Sequence, residues 1–223
     1  MNMVCNEVIC GDCLDLIKNI EDNSVDVVFT SPPYNRKRND KYEYYSDDLD
    51  DYYGFLSKII DESLRVVKKY VFINIQKTYY NKQDVFRIIG KYYNLISEIF
   101  IWEKNNPMPS PGAYITNSHE YIICFSEHKL RSNGTYTKNN IRTNVTNMDK
   151  KHKAIMNEEV AGFFIKNFTN PGDIILDPFM GSGTTAKVAL KNQRQFIGFE
   201  ISQEYVDMAN KRIKPLLEQQ TLM

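Results

Sequence analysis

The sequence has no apolar run near the ~20 residues that a membrane-spanning helix requires. Met1 to Ile20 carries acidic side chains and no unbroken apolar stretch, so no secretory leader is legible and a cytoplasmic location is expected, with no membrane partner. Excess charge is lacking too: 28 basic and 28 acidic residues leave a formal net charge of zero. That balance argues against a protein that coats nucleic acid indiscriminately, though not against a local basic face. Cysteine is scarce, at four in 223 residues, and reduced, mostly buried thiols are expected. Cys5, Cys10 and Cys13, with Cys124 far downstream, match the ligand spacing of a plant-type iron–sulfur centre. However, 7–10 reads as a strand and 14–20 as a helix, which keeps the three thiols apart, so no metal is expected. No Gly-Lys-Ser/Thr follows the one glycine-rich turn, which excludes a Walker phosphate loop.

What is present fits one soluble α/β domain over residues 1–223, with 42% hydrophobic and 25% charged residues. Short β-branched runs at 7–10, 25–29, 70–75, 95–102, 173–176 and 196–199 alternate with helical spacing at 14–20, 51–69, 158–167 and 203–217, and around Val85, Phe86 and Ile89. This alternation implies a parallel sheet with helices on both faces. Between 95–102 and the run 121–125 lies only a Pro-rich stretch with Pro107, Pro109, Pro111 and Gly112, so a hairpin and one antiparallel strand are expected there. Residues 127–153 lack a sustained pattern and read as a small insertion. Seven basic residues stand there against two acidic ones, including Arg131, Lys138 and Arg142. Residues 36–50 are polar and tyrosine-rich and read as a mobile loop, with Arg36, Lys37 and Arg38 at its start.

Two stretches carry chemistry. Thr30-Ser31-Pro32-Pro33-Tyr34-Asn35 leaves a buried strand at the carboxyl edge of the sheet. Its two prolines make the loop stiff and extended, which suits gripping a flat polar group such as a nucleobase. Asp177-Pro178-Phe179-Met180-Gly181-Ser182-Gly183-Thr184 joins a strand to a helix, and Gly181 and Gly183 permit close ligand approach. N–H groups at such a helix start favour an anionic group. Glu200 ends the next strand, nineteen positions after Gly181, where a carboxylate can accept both hydroxyls of a ribose. Gly181-x-Gly183-x-x-Ala186 also fits the dinucleotide fingerprint, which keeps an NAD-type enzyme as an alternative, although only one strand–helix–strand unit follows it. A non-catalytic nucleic-acid-binding module is a further alternative.

Together the two stretches resemble the amino-methylating DNA methyltransferases, in the permuted β group where the catalytic motif precedes the cofactor motif. The resemblance extends through Gly11-Asp12, Asn117-Ser-His-Glu-Tyr121 and Phe199-Glu200-Ile201. It implies a Rossmann-like, seven-stranded, mostly parallel sheet with one antiparallel strand, and S-adenosyl-L-methionine as cofactor. By position, Asp177, Pro178, Phe179, Gly181, Ser182, Gly183 and Thr184 would hold the methionine part, Glu200 and Ile201 the ribose side, and Asp12 with the Cys13 backbone the adenine. Ser31 and the Pro32 carbonyl would accept the two N–H groups of an exocyclic base amine, in a loop completed by Pro33, while Tyr34 would stack on the flipped-out base. Ser31 stands where the adenine-N6 enzymes most often carry Asp, and Lys104-Asn-Asn-Pro-Met-Pro-Ser110 is similar to the cytosine-N4 enzymes. Cytosine N4 is therefore the expected target, with adenine N6 as the alternative. C5 methylation is not expected, because it needs a cysteine nucleophile in a Pro-Cys loop and no cysteine follows a proline. The implied partner is double-stranded DNA, met by Arg36, Lys37, Arg38, Lys104, Arg131, Lys138 and Arg142. A homodimer and a cognate restriction endonuclease are further partners compatible with the family. Relatives usually carry a proline where Met156-Asn157 stands, which leaves the start of the following helix open.

Overall fold

Val25–Thr30 (β2) is buried on both sides, as a central parallel strand must be: Val27 and Phe29 face one helical layer and Val28 the other. The computed structural model describes residues 5–37, 47–107, 116–134, 136–144 and 156–221. Around β2 are Glu7–Cys10 (β1), Val67–Ile75 (β3), Ile96–Lys104 (β4), His119–Phe125 (β5), Asn140–Thr143 (β6), Ile174–Asp177 (β7) and Gln195–Glu200 (β8). They form one eight-stranded sheet in the order β1-β8-β7-β2-β3-β5-β4-β6. Among the described strands only β5 runs against the others, pairing antiparallel with β3 (Ile75↔Tyr121) and β4 (Ile101↔Tyr121).

The expected count of seven strands is corrected to eight among the described residues. The additional strand, β6, lies within 127–153 and pairs in parallel with β4, from Ile101↔Asn140 to Lys104↔Thr143. Its four residues, Asn-Ile-Arg-Thr, alternate exposed and buried at the sheet's edge, so a single apolar residue is all the pattern it shows.

Cys13–Leu16 (α1, extended by a 3-10 turn), Tyr52–Val66 (α2) and Lys82–Lys91 (α3) cover one face of the sheet. Glu158–Phe168 (α4), Thr184–Lys191 (α5) and Gln203–Thr221 (α6) cover the other. On that second face Phe72, Phe100, Phe164 and Phe168 form an aromatic cluster, with Phe72 and Phe164 centroids 4.8 Å apart. Cys13 and Cys124 pack into opposite layers, so the iron–sulfur spacing gathers nothing. Helix α2 ends at Val66, short of the expected residue 69, because Val67 already pairs with Val25 in the sheet. On α3 the buried stripe is Val85 and Ile88, while Phe86 is exposed. Asn157 settles the start of α4 as its N-cap, its side chain accepting from the Glu159 and Val160 amides. Among the described residues no helix is long and apolar enough to cross a membrane.

The chain leaves β7 into α5 on one face and leaves β2 toward α2 on the other. Since β7 and β2 are neighbours, a crevice opens between their carboxyl ends, where open α/β sheets bind ligands.

Candidate active site

That crevice holds both motifs. Buried Asp177, at the end of β7, accepts from Thr30 Oγ1 at 2.7 Å, from the Phe179 amide at 3.0 Å and from Thr185 Oγ1 at 2.6 Å. It thus ties the start of the catalytic loop to the glycine turn. Burial raises its carboxyl pKa to about 6, against the opposing pull of those hydrogen bonds. Glu200 accepts from the Gly181 amide (2.8 Å) and the Ser202 amide (3.0 Å), and burial again raises its pKa. β1 ends beside it, where the Gly11 amide donates to the Glu200 carbonyl. Asp12 is exposed there as the N-cap of α1, and the Cys13 thiol is pushed up to about 12 by burial and then by Asp12.

The turn has room for a cofactor. A Cβ built on Gly181, whose φ is +53°, would meet nothing closer than the Phe179 carbonyl at 4.0 Å, and Ile201 beyond Glu200 is half exposed. Glu200, Gly181 and Asp12 therefore fit a ribose-bearing ligand at the strand ends. Gly183 is needed for a different reason: a Cβ there would stand 2.9 Å from Ala209 on α6. Within the turn, the Phe179, Met180, Gly181 and Gly183 amides donate inside the protein, while the N-cap Gly183 offers no side-chain acceptor to the first amides of α5. The Ser182 and Thr184 hydroxyls accept from Arg212 of α6, at 3.4 and 3.1 Å, so they face the helix layer.

The catalytic loop is pinned from three sides. Tyr52 Oη donates to the Pro33 carbonyl at 2.7 Å, Asn81 Nδ2 to the Tyr34 carbonyl at 2.7 Å, and Asn35 exchanges hydrogen bonds with the Leu49 backbone. Between these, no donor reaches the Pro32 carbonyl among the described residues. Tyr34 points its hydroxyl inward, 2.8 Å from both Ser31 Oγ and Glu120 Oε2 and 2.6 Å from Asn74 Nδ2. Asn74 also donates to Glu120 at 2.8 Å, and Lys104 pairs with the same carboxylate. Asn74 and Glu120 are 1% and 4% exposed, so this is a buried polar network, and Asn74 Oδ1 within it has no partner.

The network has one polarity. Glu120 accepts, so the single Tyr34 proton goes to it and the Tyr34 oxygen receives from Asn74. Ser31 then donates its own proton to Tyr34, and its oxygen receives a long contact of 3.4 Å from Asn74 Nδ2, which leaves acceptor capacity for another donor. The sequence does not point to Asn74, and it brings in Glu120 only within the stretch 117–121, without a role. Their signal was a polar residue at the end of one apolar strand and the start of another.

The basic residues expected on DNA do not all converge here. Lys104 pairs its ammonium with Glu120 and is 14% exposed, which joins it to the site's network. Arg131 lies past the end of β5, and that strand's reversed direction puts it at the opposite edge, near the end of α4. Lys138 is exposed ahead of β6, and Arg142 pairs with Glu103 at 2.8 Å on the outer strands. Arg36 lies over the Tyr34 ring, 5.2 Å from its centroid, and donates to Gln76, while Lys37 pairs with Asp48. Arg38, with the rest of 38–46, lies outside the described residues, as do 108–115 and 145–155.

Comparison with known proteins gives the same reading of the fold. The chain is 30% identical to the orphan methyltransferase M.BamHII of Bacillus amyloliquefaciens, over 88% of this chain and 91% of that protein. The solved PvuII DNA methyltransferase, cytosine-N4-specific, superimposes with a TM-score of 0.76 at 20% identity, covering 95% of this chain and 89% of that one. M1.HpyAVI, solved as a complex with S-adenosylmethionine, gives 0.65 at 25% identity, over 92% and 98% of the two chains. The sequence model of the N6/N4 DNA methylases matches residues 25–211, and the chain belongs to that family.

Proposed function

We propose that this protein methylates the exocyclic N4 amine of a cytosine flipped out of double-stranded DNA, within a short recognition sequence, using S-adenosylmethionine. The observation that carries the reading is a pair of acceptors in a loop held by Tyr52, Asn81 and Leu49: the Pro32 carbonyl, and Ser31 Oγ, which donates to Tyr34 and receives only a long contact of 3.4 Å from Asn74. A base amine is a weak nucleophile because its lone pair is delocalised into the ring. Two acceptors, one for each N–H, fix the amine's plane and favour the lone pair's localisation on nitrogen. Neither acceptor must reorganise during the reaction, since Tyr52, Asn81 and Asp177 hold the loop before substrate arrives.

When bound, S-adenosylmethionine supplies the electrophilic methyl group. Asp12, the Cys13 backbone, Phe179, Gly181, Glu200 and Ile201 would hold it, and Asp177 keeps that turn in register with Ser31. Cytosine is favoured over adenine by serine at position 31, where the adenine enzymes of the family most often carry aspartate. Incubation with methyl-labelled S-adenosylmethionine and mixed-sequence duplex DNA, followed by mass spectrometry of the nucleosides, tests the reading. N4-methylcytosine is expected. N6-methyladenine would keep the chemistry and overturn the base, and no labelled nucleoside would overturn the DNA substrate.

A further inference from the structure

The loop 76–81 follows the carboxyl end of β3 and lies beside the catalytic loop, yet the chemistry described so far leaves its two tyrosines unused. Tyr79 is 78% exposed and Tyr80 59%, with their rings packed edge to face at 5.5 Å. The backbone beneath them is not free to fold them away. Asn81, fully buried, accepts from the Thr78 amide at 2.6 Å and donates to the Gln76 carbonyl at 2.9 Å and to the Tyr34 carbonyl at 2.7 Å. A second tie runs from Arg36 to Gln76. The same asparagine therefore fixes both the loop that grips the base and the loop that presents the rings.

Two exposed rings on a rigid loop are a recognition surface, because tyrosine gives large contact area with few rotatable bonds to order. The charge around them names the occupant. Lys77 and Lys82 flank the pair, Lys82 lies 4.6 Å from the centre of the Tyr79 ring, and among the described residues no carboxylate pairs with either lysine. Aromatic rings interleaved with unpaired cations fit a polyanion that carries flat bases. We propose that Tyr79 and Tyr80 stack against base faces exposed beside the extruded nucleotide, while Lys77 and Lys82 meet the adjacent phosphates. The proposal rests on the DNA reading above and adds the surface that holds the opened duplex.

The test uses two fluorescein-labelled duplexes of random sequence, one fully paired and one with a short run of unpaired bases, in anisotropy titrations with the full chain. Wild type is expected to prefer the unpaired probe. In the variant Tyr79→Ala/Tyr80→Ala that preference should fall at least about fivefold, the low end of base–aromatic stacking. Binding of S-adenosylmethionine should not change, and Tyr79→Phe/Tyr80→Phe should keep the preference. Lys77→Ala/Lys82→Ala should flatten the slope of log Kd against log salt by roughly 2, at about 0.9 per phosphate. Tyr93, 77% exposed at the far end of α3, is the control, and Tyr93→Ala should bind as wild type. A double alanine variant that keeps the preference, or a Tyr93→Ala variant that loses it equally, overturns the surface alone. Wild type that takes up S-adenosylmethionine but binds neither probe overturns the DNA reading and this surface with it.

Discussion

Removing one oxygen from the active site separates two roles for Tyr34. In Tyr34→Phe the ring and its packing against Arg36 persist, but three contacts of 2.8, 2.8 and 2.6 Å, to Ser31, Glu120 and Asn74, disappear. Glu120 is not stranded, since Asn74 and Lys104 still reach it. The stability loss is then that of one hydrogen bond to a charged group, about 2 kcal/mol. For a domain of this size that is a fall in Tm of about 4–8 °C. The catalytic loss should be larger than this suggests. Without Tyr34 the Ser31 proton has no fixed acceptor and can rotate into the space the amine needs, so kcat should fall about 10- to 100-fold, equivalent to about 1.4–2.7 kcal/mol. KM for S-adenosylmethionine should not move, because Glu200, Gly181 and Asp177 do not touch the tyrosine. Burial, and then the Glu120 charge, hold the Tyr34 hydroxyl well above its usual range, so no alkaline loss from its ionisation is expected up to pH 10. Initial rates with labelled cofactor at saturating DNA measure all of this. A Tyr34→Phe enzyme within twofold of wild type refutes the orienting role. If Tyr34→Ala is inactive at the same time, the ring's stacking on the base is what matters.

Asp177 makes the cofactor-free protein's stability depend on pH. Its pKa is raised from 3.8 to about 6, so the folded state binds the proton more tightly; its contribution is full below pH 3.8 and is lost as pH rises through about 6. The gap corresponds to about 3 kcal/mol. In urea titrations from pH 4 to 7, wild type should lose about 2 kcal/mol of it relative to Asp177→Asn, whose lost contacts add only a constant offset; a flat difference would refute the buried proton. At the other end of the fold, Asn157→Ala removes the acceptor for two α4 amides and should cost about 1 kcal/mol in the same titration, with kcat unchanged. A drop in kcat would show that α4 reaches the site.

The parts of the fold legible in the sequence were those whose burial writes a period into the chain. The apolar run at 25–29, the glycine turn at 181–183 and the strand closing at Glu200 needed no partner to be read, and the missing helix before β5 announced its reversed direction. Illegible features depended on a distant neighbour. β6 is an edge strand whose only guide is β4. Asn74 and Glu120 meet across β3 and β5 from 46 residues apart, and a single Asn or Glu beside an apolar run does not say which group it satisfies. Lys104 reads as a surface cation until that carboxylate is placed against it. Phe86 marks the helix by its spacing with Val85 and Ile89, but spacing alone does not say that its ring is exposed.

The hydrogen bond from Thr30 to Asp177 joins residues 147 positions apart, through two strands that are neighbours in the sheet. Proximity of the base-gripping loop to the cofactor turn is thus a property of strand adjacency and not of chain order. A protein built this way can present its two motifs in either sequence, so long as the breaks in the chain fall between strands, and the chemistry will not register which one the ribosome made first.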